Sequence, residues 1–464
     1  MFKKSARIVV SGVVILVLAF LVNFCRQAFP IATGYGAKVL CTSIFVSGRS
    51  ESAVISEDLN FPPVNLARFK VDYKDSSVIC SLFGLAEKKA IYRPGLGATL
   101  VNGISEQALR SQQFNLPVHI PVVADTIAWP MGDKTMGGFP SEIDSLKVAS
   151  AMDLAFANNK DSSPTNITRA LIVLYDGHIV AERYASGFNR NTRLTGWSMT
   201  KSITGALTGL LVKQGRLDIN ALAPVPEWKD ERDPRHGITI TNLLQQTSGL
   251  DFSEVYNRPA DANRMLFREK DAAAYTASQK LSKKPGTKFR YSSGNTNILS
   301  RILRQTLGDR QYQAFPYDQL FYKLGMYSAV LEPDPSGTYV GSSFCYATAR
   351  DWARFGLLYY NNGTWNNEQL LPAEWIRQSL TPTAAAEQGE YGFQWWLNAG
   401  EKNKPFNRLY DELPADMYWA DGFEGQNIFV IPSKKLVVVR LGLTRASHWG
   451  ESRFINAVIE GIAN

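Results

Sequence analysis

Cysteine and histidine are scarce, four of each in 464 residues. No C-x-x-C pair and no Cys/His cluster occurs, so the ligand spacing of a structural zinc site is missing. His119, His178 and His236 stand in no partner pattern. His448, the only late histidine, reads as a structural or substrate-lining residue. A G-x-S-x-G nucleophile elbow is absent too, which argues against a Ser-His-Asp hydrolase of the α/β type. The net charge is only +8, and its basic residues are interspersed with acidic ones. A nucleic-acid binder concentrates them in a stripe, so no nucleic-acid partner is expected. The 22 prolines and 35 glycines show no period, which excludes collagen-like and repeat architectures. With 45% hydrophobic and 20% charged residues, no long stretch reads as disordered. No metal and no cofactor is expected.

What is present begins at the N-terminus. Lys3, Lys4 and Arg7 precede an apolar run from Ile8 to Phe24, and Arg26 follows. The run lies at the lower limit for crossing a bilayer and is long for the apolar part of a signal peptide. Basic residues ahead of it keep the N-terminus in the cytoplasm and send the rest outward. Asn23-Phe24-Cys25-Arg26-Gln27-Ala28 offers no small-x-small cleavage site, which favours an uncleaved anchor over a cleaved signal. Cys25 lacks the small residues that a lipoprotein site needs before it. Residues 1–27 are therefore expected to be a transmembrane anchor or signal, with the remainder exported to the cell envelope (the periplasm, if bacterial). An oxidising compartment would permit a Cys41–Cys80 bridge and leave Cys345 a buried thiol.

Residues 28–130 read as an N-terminal extension of unknown role. Val39–Val46 and Val78–Phe83 are strand-like runs, broken by turn signals such as Arg93-Pro94-Gly95-Leu96-Gly97. From about 131 to 464 the pattern is more regular. Leu146, Ala149, Met152 and Phe156 recur at helical spacing. Two β-rich runs flank Asp176-Gly177, a strong hairpin signal. Ile203, Leu207, Leu210 and Leu211 share a helix face that Gly215 ends. Ile428–Pro432 and Leu436–Leu441 form another hairpin, and a helix over 454–462 closes the chain. Strands at both ends of a helical middle predict an α+β fold with an antiparallel sheet built from both termini of the domain.

Ser198-Met199-Thr200-Lys201 is an S-x-x-K. Three residues apart, the two side chains share one helix face, so the amine can take the hydroxyl proton. Some ninety residues on, Tyr291-Ser292-Ser293 places a tyrosine that, beside a lysine, can hold a lowered pKa and act as base or acid. Asp421-Gly422-Phe423-Glu424-Gly425-Gln426-Asn427 brings glycines beside a strand, where backbone N–H groups can approach an oxyanion.

In that order, together with Leu243–Leu250 and Thr348–Gly356, these segments resemble the class C β-lactamase, esterase and 6-aminohexanoate-dimer hydrolase group. The resemblance implies a β-lactamase/transpeptidase-like fold, an antiparallel sheet flanked by helices plus a helical region, over residues 131–464. It makes Ser198 the acylated nucleophile, with Lys201 and Tyr291 handling its proton. It forms the oxyanion hole from the Ser198 N–H and one near Gln426 and Gly425, puts Ser293 third in the tyrosine motif, and gives Tyr256 a substrate contact. Two departures stand out. Phe423-Glu424-Gly425 occupies the stretch of the Lys-Thr-Gly that grips a β-lactam carboxylate, and Gln246 stands where relatives often carry histidine. The expected function is a serine hydrolase acting on a small ester, amide or peptide-like substrate, tethered to a membrane by its N-terminal helix. Within enzymes the alternative is a β-lactamase or D-Ala-D-Ala carboxypeptidase. Outside them it is a non-catalytic penicillin-binding-like scaffold or sensor, which the presence of serine, lysine and tyrosine together argues against.

Overall fold

The first element of the chain is one long helix, α1 (Phe2–Phe45), that runs through two environments. The computed structural model describes residues 2–117, 124–135, 137–157, 166–445 and 448–463, so His119 lies outside the described residues. Residues 10–24 of α1 are exposed on every side, whereas residues 32–43 are buried. Over Val10–Phe45 the helix is long and apolar enough to cross a membrane, with mean hydropathy 2.0. A helix apolar all round cannot present a polar face to water, so its exposed half needs an apolar surrounding.

The buried half of α1 packs on a four-stranded antiparallel sheet, β1 (Ala67–Asp72), β2 (Ser77–Leu82), β3 (Leu85–Arg93) and β4 (Gly97–Leu100). The strand expected over Val39–Val46 is instead the last two turns of α1. A short apolar β-branched run does not distinguish a buried helix from a strand, and packing overrides its propensity. The Cys41–Cys80 bridge does not form either. Both thiols are free and buried, and the Cys41 Sγ faces the Ala90 carbonyl at 3.8 Å. Burial pushes the Cys80 thiol up to about 12. Cys345 is a buried thiol, as expected.

Close approach and one ion pair seat α1 on the rest of the chain. A Cβ on Gly34 would fall 2.3 Å from the Phe267 carbonyl oxygen, so only glycine lets the helix come that near. Lys38 pairs with Glu332, and both are fully buried. The Glu332 carboxylate also accepts from Thr42 Oγ1 at 3.0 Å and from the Ala98 N–H at 2.6 Å. Burial pushes the Glu332 carboxyl up and the Lys38 ammonium pulls it back down. One apolar cluster joins Ala32, Tyr35 and Leu40 of α1 to Trp197, Phe267 and Phe344. A second ionic tie links Arg169 to Asp58 at 2.8 Å and to Glu57 at 2.8 Å.

The remaining elements follow in order. Helix α2 (Ser145–Phe156) leads to β5 (Asn166–Tyr175) and β6 (His178–Tyr184), joined by the expected Asp176-Gly177 turn with both residues at positive φ. After α3 (Thr200–Lys213), α4 (Ser293–Leu307) and α5 (Ala349–Tyr360) come β7 (Trp396–Leu397), β8 (Tyr418–Gly422), β9 (Gln426–Ile431) and β10 (Leu436–Thr444). The chain ends in α6 (Glu451–Glu460). The six strands pair antiparallel in the order β7-β8-β9-β10-β5-β6. The first hairpin of the domain thus closes against its last, with Val173 opposite Val438. One face of this sheet packs on α5, and the other is covered by α2 and α6. The α+β, β-lactamase/transpeptidase-like fold is the observed one.

Removing one partner of a buried ion pair leaves an unpaired charge in the core and costs about 3–5 kcal/mol. Glu332→Ala is expected to lower unfolding stability by that amount, measured by denaturant titration. The double variant Lys38→Met/Glu332→Leu is expected to recover most of it, because two apolar residues need no counter-charge.

Candidate active site

Ser198 lies in a single 3-10 turn, Trp197–Met199, that leads straight into α3. Trp197 sits at φ +44°, where a bulky residue costs on the order of 1–3 kcal/mol. Its surroundings hold it there. Tyr35 of α1 stacks over it at 6.3 Å, Phe344 lies at 6.0 Å, and Phe423 meets it edge-on at 5.8 Å. The opposite wall is β8. A Cβ on Gly422 would fall 2.2 Å from the Gly196 carbonyl oxygen, so the strand passes directly against the lead-in to Ser198.

One turn into α3, Lys201 is 1% exposed. Its Nζ donates to Ser198 Oγ at 2.9 Å, Ser293 Oγ at 2.9 Å and the Ser342 carbonyl at 3.2 Å. Burial disfavours the ammonium and lowers the Lys201 pKa from 10.5 to about 8, although the charges of Glu254 and Asp421 oppose the shift. Nζ also sits 4.7 Å above the Tyr291 ring. The Ser198 side chain pulls the Tyr291 pKa down against its burial, and Tyr391 and Trp396 pack its ring at 5.9 and 5.2 Å.

The expected lowered pKa of Tyr291 is corrected here. Burial, reinforced by Tyr391 and Glu254, raises it well above 10. A dehydrated phenol stays protonated, so the basic member of the pair is Lys201 and the tyrosine is a neutral hydroxyl.

Tyr291 is held by the turn into α4. Ser292 caps that helix, and Gln246 Oε1 accepts from the Ser292 N–H at 3.2 Å and from Asn295 Nδ2 at 2.9 Å. Gln246, buried, is thus a clamp beneath the tyrosine loop. Ser293 and Tyr256 converge on a carboxylate that the sequence does not single out, Glu254. It accepts from the Ser293 N–H at 2.8 Å, from the Ser293 hydroxyl, and from the Tyr256 hydroxyl at 2.7 Å. The result is a continuous chain, Ser198–Lys201–Ser293–Glu254–Tyr256. Asp421 on β8 is a second acid missed in the sequence. Burial raises it to about 7, and Asn427 Nδ2 donates to it at 2.8 Å.

The Gln426 amide is turned into its own hairpin, donating to the Gly442 carbonyl at 2.7 Å and accepting from the Gly442 N–H at 2.9 Å. Gly425 lies in the turn, packed toward Arg440 and Trp449. The backbone that reaches Ser198 is three residues earlier, at Gly422-Phe423, because the turn rather than the strand contains the second glycine. His448 is on the rim, with Nδ1 2.5 Å from Glu451.

A cavity of about 600 Å³ opens beside this centre, its wall built from the rings of Trp396, Trp419 and Trp449 together with the charged groups of Asp421, Glu424 and Arg445. Burial raises the Glu424 carboxyl to about 8, with the charge of Asp58 adding to the effect. Among the described residues, no group of three or more His, Cys, Asp or Glu is arranged to hold a metal ion.

The β-lactamase family profile matches residues 167–457. The 6-aminohexanoate-dimer hydrolase of Paenarthrobacter ureafaciens is 27% identical over 298 residues, covering 59% of this chain and 72% of that protein. Among solved structures, a family VIII carboxylesterase superposes with a TM-score of 0.55 at 15% identity, over 70% of this chain and 99% of its own. A penicillin-binding protein homologue from Caulobacter crescentus gives 0.52 at 16% identity, over 70% and 98%. These structures share the fold with this chain. The profile spans well over half of it, and the chain belongs to the β-lactamase family of hydrolases.

Proposed function

We propose that this chain is a serine hydrolase that cleaves an ester or amide through an acyl-enzyme on Ser198, held at a membrane by the exposed half of α1. The observation that carries the reading is the Lys201 amine, shut away from water, 2.9 Å from Ser198 Oγ and lowered to about 8. Neutral Lys201 takes the hydroxyl proton as Oγ bonds to the carbonyl carbon. The backbone N–H groups of Ser198 and Phe423 hold the oxyanion. Tyr291, a neutral phenol beside Ser198, gives its proton to the departing alcohol or amine and takes in its place the one held by Lys201. Water then repeats the path and frees the acid. No cofactor or metal enters these steps. Ser293 and Tyr256 border the reacting centre as positioning and substrate-contacting groups.

The missing lysine supports an esterase or amidase over a β-lactamase or D-Ala-D-Ala carboxypeptidase. Those substrates carry a carboxylate, and Phe423-Glu424-Gly425 supplies no lysine at the stretch where a Lys-Thr-Gly would grip it. For the anchor, α1 has the length and apolarity to span, and Lys3, Lys4 and Arg7, ahead of its apolar run, set the N-terminus inside and residues 28–464 outside. In this division 28–130 is an extension and 131–464 the hydrolase domain.

Ser198→Ala is expected to abolish turnover of p-nitrophenyl butyrate and labelling by a fluorophosphonate, with nitrocefin cleaved little by either protein. Butyrate turnover retained in that variant would falsify the assignment.

The pH profile follows from Lys201. Its pKa is depressed, so the neutral base is lost as pH falls below about 8 and is complete above it. kcat/KM is expected to rise with unit slope to about pH 8 and then level, since that ratio reports the free enzyme. The charge of Glu254 raises the Lys201 pKa, so Glu254→Gln is expected to move the acid limb to lower pH. A limb that stays in place in that variant would remove Glu254 from the electrostatics of the base.

A further inference from the structure

A second cavity, of about 470 Å³, has Trp197 in its wall. Its walls are almost wholly apolar, with Phe24, Ile31 and Tyr35 from α1 facing Trp197, Phe267 and Phe423. The two cavities meet, because Phe61, Tyr256, Asn257 and Phe423 line both. Tyr256 of that junction has its hydroxyl 3.4 Å from Ser293 Oγ, and Trp197, which lines the second cavity, directly precedes Ser198.

The position of the apolar cavity along α1 decides what it can hold. Its wall begins at Phe24, the last residue of the fully exposed apolar stretch, and continues through Ala28, Ile31 and Ala32 to Tyr35. One helix thus runs from the segment that would lie in hydrocarbon to the residue stacked on Trp197. On the cavity face of α1, Phe24, Ala28, Ile31, Ala32 and Tyr35 follow one another with no charged side chain between them, so an apolar chain leaving the bilayer along that face stays on apolar surface as far as Trp197, the neighbour of Ser198. Beyond the junction, the charged lining of the larger cavity suits a hydrophilic group.

We infer that the substrate is a long-chain acyl ester drawn from the bilayer, its hydrocarbon chain seated in the α1 cavity and its polar alcohol portion in the adjoining one. This rests on the serine-hydrolase reading above. In the reaction the Ser198 Oγ–acyl bond forms as the acyl–alkoxy bond breaks, and the serine proton leaves with the alcohol. Water then releases the fatty acid and returns a proton to Ser198.

The test uses the full chain in detergent micelles with p-nitrophenyl esters from butyrate to tetradecanoate. With kcat/KM referred to the monomeric ester in water, each methylene taken into an apolar site adds a near-constant increment, so it is expected to climb roughly three- to four-fold per CH₂ until the cavity is full. Ala32→Trp, which places a ring in the cavity, is expected to lower the dodecanoate-to-butyrate ratio of kcat/KM at least ten-fold. Ser198-dependent butyrate turnover with a flat or falling series, or an unchanged ratio in the variant, would overturn the acyl-chain assignment and leave the hydrolase standing. Absence of Ser198-dependent turnover of every ester would overturn both.

Discussion

The centre of this molecule is organised around an amine kept out of water. An ammonium in an apolar interior is costly, and a protein that buries one must either pair it with a carboxylate or let it lose its proton. Lys201 has no salt bridge. Its three contacts are two hydroxyls and a carbonyl, enough to orient the nitrogen but not to fix its charge. Glu254 and Asp421 act from one shell further out and hold the shift at about 8 rather than lower. The same burial sends Tyr291 the opposite way. One physical cause, desolvation, separates a base from a neutral phenol across a shared serine, and the two roles follow from it.

Lys38 shows the other resolution. It is as deeply buried as Lys201, but it meets the Glu332 carboxylate, itself secured by Thr42 and the Ala98 N–H. A paired charge is an anchor point, and this one fixes the register of α1 on the domain. That register matters at the serine because Tyr35, one turn before Lys38, stacks on the strained Trp197. The geometry of the nucleophile therefore depends on an ion pair in a helix that lies outside the family-matched segment.

What was legible in the sequence was what local spacing encodes. S-x-x-K on a helix face, the Asp-Gly hairpin and the paired terminal hairpins each depend on neighbours a few residues away, and the structure brings Ser198, Lys201, Tyr291, Ser293 and Tyr256 together. Long-range features were not. Glu254 bonds to Ser293 across thirty-nine positions, and nothing in its own neighbourhood distinguishes it from any surface glutamate. Val39–Val46 reads as a strand because its partner surfaces, β2 to β4 and Phe267, are invisible in the run itself. Gln426 looked available because a glycine-flanked amide beside a strand resembles a binding loop, yet its side chain satisfies the turn's own backbone. The direction of the Tyr291 shift required knowing that Tyr391 and Trp396 enclose it.

The double environment of α1 constrains how such a hydrolase meets its substrate. A flexible linker between anchor and domain would let the active site sample all orientations over the bilayer. Here no linker intervenes, since the helix that is exposed at residues 10–24 is in the core by residue 32. The domain's orientation follows the helix axis, and the face carrying Trp197, Tyr256 and Phe423 lies at the point where α1 leaves its exposed segment. On the anchoring proposed for α1, rigid attachment restricts reach to molecules at one depth and replaces a search in three dimensions by one in the plane of the membrane. A soluble substrate gains nothing from that restriction. An amphiphile already oriented by the bilayer does, because its reactive carbonyl and the serine are then presented at the same interface.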